Sequence, residues 1–174
     1  IVVDVKSADA AELEDGTLVR YAGVEAPGPE DPLFEISREK NRELISNRKV
    51  SLIPAQDGSN EDGELVAFVY APVVDDQGQT RFLFVQGELA LWGFVRSRTA
   101  PPAALRLDLY QDIARIEAIA KEMKRGLWSE KPTSAADAQA ASPATNDREA
   151  PSSSRRGPSR PTSGQRRCVS TASE

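Results

Sequence analysis

Apolar and polar residues follow strand-like patterns in the first part of the chain. Short stretches rich in β-branched and aromatic residues are typical of strands, and the strongest is Glu-Leu-Val-Ala-Phe-Val-Tyr at 64–70. Asp15-Gly16 and residues 75–78 are typical of hairpin turns, because glycine adopts a positive φ without steric cost. The pattern therefore predicts strands at residues 1–5, 11–13, 17–24, 49–53, 64–70 and 80–85.

Three other stretches are predicted to be helical. Apolar residues recur every three or four positions in 33–47 and in 105–125, and a shorter helix is predicted at 87–94. Gly126 is predicted to cap the last helix, because a helix often ends on a residue with positive φ. Strands interrupted by one helix and followed by two more are typical of an α+β OB-fold, a five-stranded Greek-key barrel with about three helices.

The end of the chain has a different composition. Residues 131–174 consist mainly of Ser, Pro, Ala, Thr and Arg. Such a segment cannot bury enough apolar area to offset its conformational entropy. We therefore expect one folded domain at 1–130 and a disordered tail at 131–174.

Charge is also divided unevenly along the chain. Residues 1–132 carry 23 acidic and 16 basic side chains, whereas residues 133–174 carry four acidic and six basic ones. An acidic domain is not typical of nucleic-acid binding, which neutralises phosphates with Lys and Arg. We expect a protein partner for the domain, or nucleic-acid binding through the tail arginines Arg155, Arg156, Arg166 and Arg167.

Some residue types that carry chemistry are missing. The chain has no histidine and one cysteine, Cys168, so histidine general-base catalysis and the usual zinc ligand sets are excluded. No apolar run approaches the ~20 residues that span a bilayer. The chain begins at Ile1 rather than at methionine, so we expect that an N-terminal piece, such as a signal or an anchor, has been removed. The sequence does not indicate the compartment, and we expect a monomer.

Four stretches together carry a family resemblance. They are Val-Arg-Tyr-Ala-Gly-Val-Glu-Ala-Pro at 19–27, Asp-Gly-Glu-Leu-Val-Ala-Phe-Val-Tyr at 62–70, Val-Gln-Gly-Glu-Leu-Ala-Leu-Trp-Gly-Phe-Val at 85–95 and Arg-Gly-Leu-Trp-Ser at 125–129. In this order they resemble the staphylococcal nuclease-like (thermonuclease) family over about residues 3–130. The resemblance implies an OB-fold and, in active members, hydrolysis of phosphodiesters with one calcium ion.

The resemblance also implies roles for three side chains. Asp9 matches a metal-binding Asp, although the motif around it reads Ser-Ala-Asp-Ala, and Glu25 stands where the second metal-binding Asp belongs. Arg20 matches the first phosphate-binding Arg. Calcium binds several hard oxygens, so Asp9 and Glu25 would hold it if the domain is active, and otherwise no cofactor is expected. The alternative for Arg20 is an ion pair with Asp9 or Glu25.

Two positions depart from the family pattern in ways that matter for catalysis. Gly28 stands where the water-activating Glu belongs, and glycine offers no proton acceptor. Glu64 stands where the second phosphate-binding Arg belongs, which reverses the charge offered to a phosphate. Side chains elsewhere would have to replace these groups, with Glu30 or Asp31 as the base and Arg42 or Arg81 as the cation.

These departures favour a degenerate domain that has lost its reaction. We expect a binding module for protein or nucleic acid, and the alternative is a calcium-dependent phosphodiesterase (an endonuclease) with a rearranged site. Trp92 and Trp128 could stack on bases, but their spacing beside leucines favours a place in the core.

Overall fold

A mixed β-sheet and three α-helices make up the folded part of the chain. A computed structural model describes residues 1–60 and 62–129, without the side chains of 56–59, and all of these residues belong to the same compact unit. The strands are β1 (Val2–Ser7), β2 (Ala10–Leu13), β3 (Leu18–Tyr21), β4 (Val24–Glu25), β5 (Ser51–Ser59), β6 (Leu65–Val74), β7 (Thr80–Phe84) and β8 (Arg96–Ser97). The helices are α1 (Phe34–Ile45), α2 (Val85–Leu91) and α3 (Leu107–Glu122), and a 3₁₀ turn follows at Gly126–Trp128.

The predicted α+β class with three helices is confirmed. Each of the six predicted strands corresponds to an observed one, namely β1, β2, β3, β5, β6 and β7. The short strands β4 and β8 were not predicted, because two residues are too few to show an alternating pattern.

The sheet has the order β1-β2-β3-β6-β5, with β7 paired to the far end of β6. Strands β3 and β6 are parallel, and the other pairs in this sheet are antiparallel. The predicted closure into a five-stranded barrel is not seen in the described residues, since the sheet has six strands and no ladder joins β1 to β5. Val2 instead exchanges hydrogen bonds of 3.1 Å with Asn47 and Arg48, in the loop that precedes β5. Asn47 adopts φ of 57° in this loop.

Helix α1 is tied to the sheet by a buried amide. Asn41 is completely buried on the inner face of α1. Its Oδ1 accepts a hydrogen bond from the Tyr21 hydroxyl at 3.1 Å, and its Nδ2 donates to the Ser7 carbonyl at 2.8 Å. A buried polar side chain is tolerated where its groups are paired, so Asn41 fixes the end of β1 against α1.

The last helix ends earlier than predicted, and Gly126 is not its cap. Helix α3 ends two residues before Lys124, which itself adopts φ of 51°. Gly126 instead lies against Gly93. A Cβ on Gly126 would stand 2.4 Å from the Gly93 carbonyl oxygen, and a Cβ on Gly93 would stand 2.3 Å from the Arg125 oxygen. The two glycines therefore permit a close backbone approach between α2 and the 3₁₀ turn.

The core lies between the sheet and helices α2 and α3. Phe68 on β6 and Ile113 on α3 are fully buried. Trp92 is also in the core, as predicted, whereas Trp128 is only partly buried and has the Lys121 Nζ 4.4 Å from its ring centroid. In the part of the chain that the structure describes, none of the helices is long and apolar enough for a membrane span.

Candidate functional site

A cleft of about 460 Å³ brings together four of the site residues predicted from the sequence, Asp9, Arg20, Glu25 and Glu64. It opens where the turn after β1, strand β3, the loop after β4 and the residues before β6 meet. Asn60, Asp62 and Arg98 line it as well and were not predicted. We call it the acidic cleft, and its charged residues are Asp9, Arg20, Glu25, Asp62, Glu64 and Arg98.

Strand pairing explains why Arg20 lies between two carboxylates. Arg20 is in β3, which has β2 on one side and β6 on the other. Its partner in β2 is Ala10, so Asp9 lies beside it, and its partner in β6 is Val66, which Glu64 precedes by two positions. The topology therefore places the residue just before each neighbouring strand, a carboxylate in both cases, beside Arg20.

Glu64 engages the guanidinium of Arg20 with both of its oxygens. The Arg20 Nη2 donates to Glu64 Oε1 at 2.7 Å, and Nε donates to Oε2 at 3.1 Å. Asn60 Nδ2 donates a further bond to Oε2 at 2.9 Å. The Glu64 side chain is only 14% exposed, and its hydrogen bonds with Arg20 lower the pKa of Glu64 and raise that of Arg20. A two-bond fork of this kind is the geometry in which arginine also binds phosphate.

Asp9 is largely buried, and both of its oxygens accept hydrogen bonds. Its Oδ1 accepts from Ser7 Oγ at 2.5 Å and from Arg20 Nη1 at 3.4 Å. Its Oδ2 accepts from the Ala26 amide at 3.2 Å. The predicted ion pair of Arg20 with Asp9 is therefore confirmed, but the stronger partner of Arg20 is Glu64 rather than Glu25.

Glu25 reaches the cleft from its opposite wall. It pairs with Arg96 in the β4–β8 ladder, and its side chain is 60% exposed. The nearest cation is Arg98, with 4.0 Å between Arg98 Nε and Glu25 Oε2. Arg98 could not be found from the sequence, because its approach to Glu25 depends on the pairing of β4 with β8, each only two residues long.

The side chains proposed as replacements do not line the acidic cleft. Asp31 Oδ1 accepts the Leu33 amide at 2.9 Å near the start of α1. Arg42 forms an ion pair with Glu39 on α1, and Arg81 Nε lies 2.7 Å from Asp75 Oδ2 in the β6–β7 hairpin. Glu30 is likewise absent from the cleft wall. Gly28 lies on the loop at 26–31, and a Cβ placed there would meet no atom within 4 Å.

The arrangement does not fit the calcium ion that the resemblance implies. Calcium takes six to eight oxygen ligands, whereas both oxygens of Asp9 are held by hydrogen bonds within the chain. Among the side chains of residues 1–55, 60 and 62–129, no three from His, Cys, Asp or Glu are grouped closely enough to hold a metal. The described residues that line the cleft instead present four carboxylates and two guanidiniums, a formal charge of −2.

The tail arginines Arg155, Arg156, Arg166 and Arg167 lie outside the described residues. Comparison of the sequence with known proteins finds no matching family model and no significant match among curated proteins.

Proposed function

We propose that this chain is a catalytically degenerate staphylococcal nuclease-like domain that acts as a binding module without nuclease activity. The observation that carries the proposal is the contact of Glu64 with Arg20, at 2.7 and 3.1 Å. By resemblance, Arg20 is the group that would hold the scissile phosphate. A carboxylate of the chain itself occupies the fork of donors that a phosphate would need.

The charges in the acidic cleft disfavour the binding of a phosphodiester. A unit charge about 4 Å from a phosphate oxygen contributes roughly 4 kcal/mol at an effective dielectric near 20. Glu64 in place of an arginine changes an attraction of that size into a repulsion. The net charge of the lining residues has the same sign as the substrate.

The group that would activate water is also missing. Loss of a general base typically costs a factor of about 10²–10⁴ in rate, and loss of a charge-neutralising arginine costs about 10³–10⁵ in related phosphoryl transfers. Gly28 supplies no base, and Asp9 is engaged by Ser7, Arg20 and Ala26. Either loss leaves a poor nuclease, and the two together leave none.

We also infer that the sheet is the partly open Greek-key barrel of an OB-fold. The strand order β1-β2-β3-β6-β5, the parallel β3–β6 pair and the hydrogen bonds of Val2 with residues 47 and 48 support this. Nuclear Overhauser effects between β1 and residues 47–52 test it. Contacts along several residues are expected, and contacts confined to Val2 would indicate an open sheet.

A protein partner fits the domain better than nucleic acid does. The lining of the acidic cleft and the charge of −7 over residues 1–132 favour basic groups on whatever binds there. Nucleic acid, if bound, would use the tail arginines, which carry the opposite charge.

The alternative, a calcium-dependent phosphodiesterase with a rearranged site, has one observation in its favour. Arg98, the residue after β8, brings a second guanidinium to the cleft. It lies beside Glu25 rather than beside Arg20, so it does not restore the pair of arginines around one phosphate.

Incubation of the full chain with single-stranded DNA and RNA, with calcium and with chelator, tests the proposal. We expect no cleavage from neutral to alkaline pH. Arg20→Gln, prepared in the same way, identifies contaminating nuclease. Cleavage that requires calcium and disappears in Arg20→Gln would overturn the proposal in favour of the phosphodiesterase.

A further inference from the structure

A second cleft, of about 320 Å³, adjoins the acidic cleft and shares Arg20, Asn60 and Arg98 with it. Its remaining walls are the backbone at 21–24 and side chains from β6, α3 and the loop after β8. No carboxylate lines it within the described residues, which distinguishes it from the acidic cleft. We call it the tyrosine cleft, and its main side chains are Arg20, Val66, Arg98, Thr99, Pro101 and Tyr110.

Hydrogen-bond donors without partners face this cleft. Tyr110 is only 7% exposed, and its hydroxyl forms no hydrogen bond with any described residue. The Arg98 side chain is 65% exposed and approaches only Glu25, at 4.0 Å, too far for a hydrogen bond. Arg20 uses three of the five N–H bonds of its guanidinium for Glu64 and Asp9, so two remain. A tyrosine hydroxyl is protonated at neutral pH, and burial raises the pKa of Tyr110 further.

The chain anchors the backbone that carries Arg98 and packs the ring of Tyr110 before any ligand arrives. The Arg98 amide donates to the Gly23 carbonyl at 2.8 Å. The Ser97 amide and hydroxyl both donate to the Glu117 carboxylate, at 2.9 and 3.0 Å. Gly23 lets the Tyr110 ring pack against the backbone, because a Cβ on Gly23 would lie 3.1 Å from Tyr110 Cδ1. A ligand therefore has to order the Arg98 side chain, but neither its backbone nor the Tyr110 ring.

We propose that the tyrosine cleft binds a small aromatic carboxylate, held by Arg98 and the Tyr110 hydroxyl and packed against Val66 and Pro101. The guanidinium fork matches a carboxylate, and a cationic ligand would be repelled by Arg98. A volume of about 320 Å³ is at the lower end for ligand sites, which suits a single ring rather than a nucleotide. The proposal does not require the proposed function, since Arg98 and Tyr110 hold the ligand, although the cleft shares Arg20 with the acidic cleft.

Three isosteric probes test the proposal on the full chain. Benzoate, benzamide and benzamidine share one shape and carry negative, zero and positive charge. We expect benzoate to shift the NMR signals of Arg98 and Tyr110 saturably, and the other two probes to bind at least ~10-fold more weakly. Arg98→Gln should weaken benzoate by ~10-fold or more, and Tyr110→Phe by ~5-fold. The matched control is Arg96→Gln, because Arg96 lies two residues away, is exposed and does not line the cleft.

Several results would overturn the proposal. If benzamide binds as tightly as benzoate, or if Arg98→Gln leaves the affinity for benzoate unchanged, the cleft binds the ring without recognising the carboxylate. Adenosine monophosphate that binds more tightly than benzoate and displaces it would mean that the natural ligand carries a phosphate. The absence of any saturable shift would mean that the cleft is not a site. Tyr110→Phe keeps the ring packed edge-on against Phe68 at 5.3 Å, so a folded variant is expected.

Discussion

Three of the five N–H bonds of the Arg20 guanidinium are used inside the chain, two by Glu64 and one by Asp9. Asp9, Arg20, Glu25 and Glu64 could be predicted as one site only from the family resemblance, which matches each of them to a site position. Arg98 could not, because its position depends on a ladder of two residue pairs between distant segments. The ion pair of Arg20 with Asp9 was predicted, but its stronger contact with Glu64 was not, since that contact follows from the parallel pairing of β3 with β6.

Glu64 should stabilise the fold in a pH-dependent way. Its pKa is lowered from an ordinary value of 4.5, chiefly by hydrogen bonding with Arg20. The contribution is therefore complete above that value and is lost as pH falls through the lowered folded-state pKa. We expect Glu64→Gln to cost about 1 kcal/mol at neutral pH after screening of the partly exposed Arg20, and almost nothing in strong acid. Urea unfolding of both proteins across this range measures the difference, and a cost that does not vary with pH would contradict the assignment.

At the scale of secondary-structure elements, the side chain of Gln86 continues the hydrogen bonding along one edge of β6. Strand β6 pairs with β3 up to Ala67 and with β7 from Tyr70 onward. Gln86, fully buried at the start of α2, fills the gap, because Nε2 donates to the Ala67 carbonyl and Oε1 accepts the Val69 amide, both at 3.0 Å. The sequence predicted both strands and the helix, but hydrophobic periodicity gave no reason to bury a glutamine there.

Replacement of Gln86 by leucine should therefore be costly. Leu has nearly the same volume, but Gln86→Leu removes the acceptor of the buried Val69 amide, while the Ala67 carbonyl still accepts from the Ala22 amide at 2.9 Å. An unpaired buried amide costs about 1–3 kcal/mol, and we expect a loss of that size in the free energy of unfolding, measured by urea denaturation. The control is Gln111→Leu on the exposed face of α3, which should change little. Equal effects of the two substitutions would refute the role given to Gln86.

The contact between α2 and the 3₁₀ turn should be equally sensitive to added volume. Gly93→Ala would place a Cβ 2.3 Å from the Arg125 oxygen at φ of 71°, so both space and backbone conformation oppose it. We expect a loss of at least ~2 kcal/mol in thermal or urea unfolding. Gly28→Ala, where a Cβ meets open space, is the control and should be near neutral. A stable Gly93→Ala protein would show that this contact is not close in solution.

At the scale of the whole molecule, charge separates an acidic domain from a basic tail. Composition alone predicts this division and the domain at 1–130, because it requires no knowledge of contacts. It cannot predict that the carboxylates converge on one cleft, because strand order brings together residues 9, 25, 62 and 64. Because the tail is basic and the domain is acidic, the division of charge predicts that nucleic acid would bind to the tail.

Any nucleic-acid affinity of the full chain should depend on the tail arginines. In a gel-shift assay with single-stranded oligonucleotides, binding should weaken when Arg155, Arg156, Arg166 and Arg167 are changed to Gln. Added salt should also weaken the binding of the unmodified chain. A control with the same charge change replaces four ion-paired arginines of the domain, Arg38, Arg42, Arg106 and Arg115. Loss of binding in the control but not in the tail variant would assign the affinity to the domain instead.

The most direct test follows the Nε–H signal of Arg20 by NMR during titration with a short single-stranded oligonucleotide. If Glu64 holds this guanidinium as the structure describes, the signal should not move in the unmodified chain. It should move in Glu64→Gln, where the fork is released for a phosphate. A saturable shift of the Arg20 signal in the unmodified chain would show that phosphate displaces Glu64, and the account of a cleft closed to phosphodiesters would be wrong.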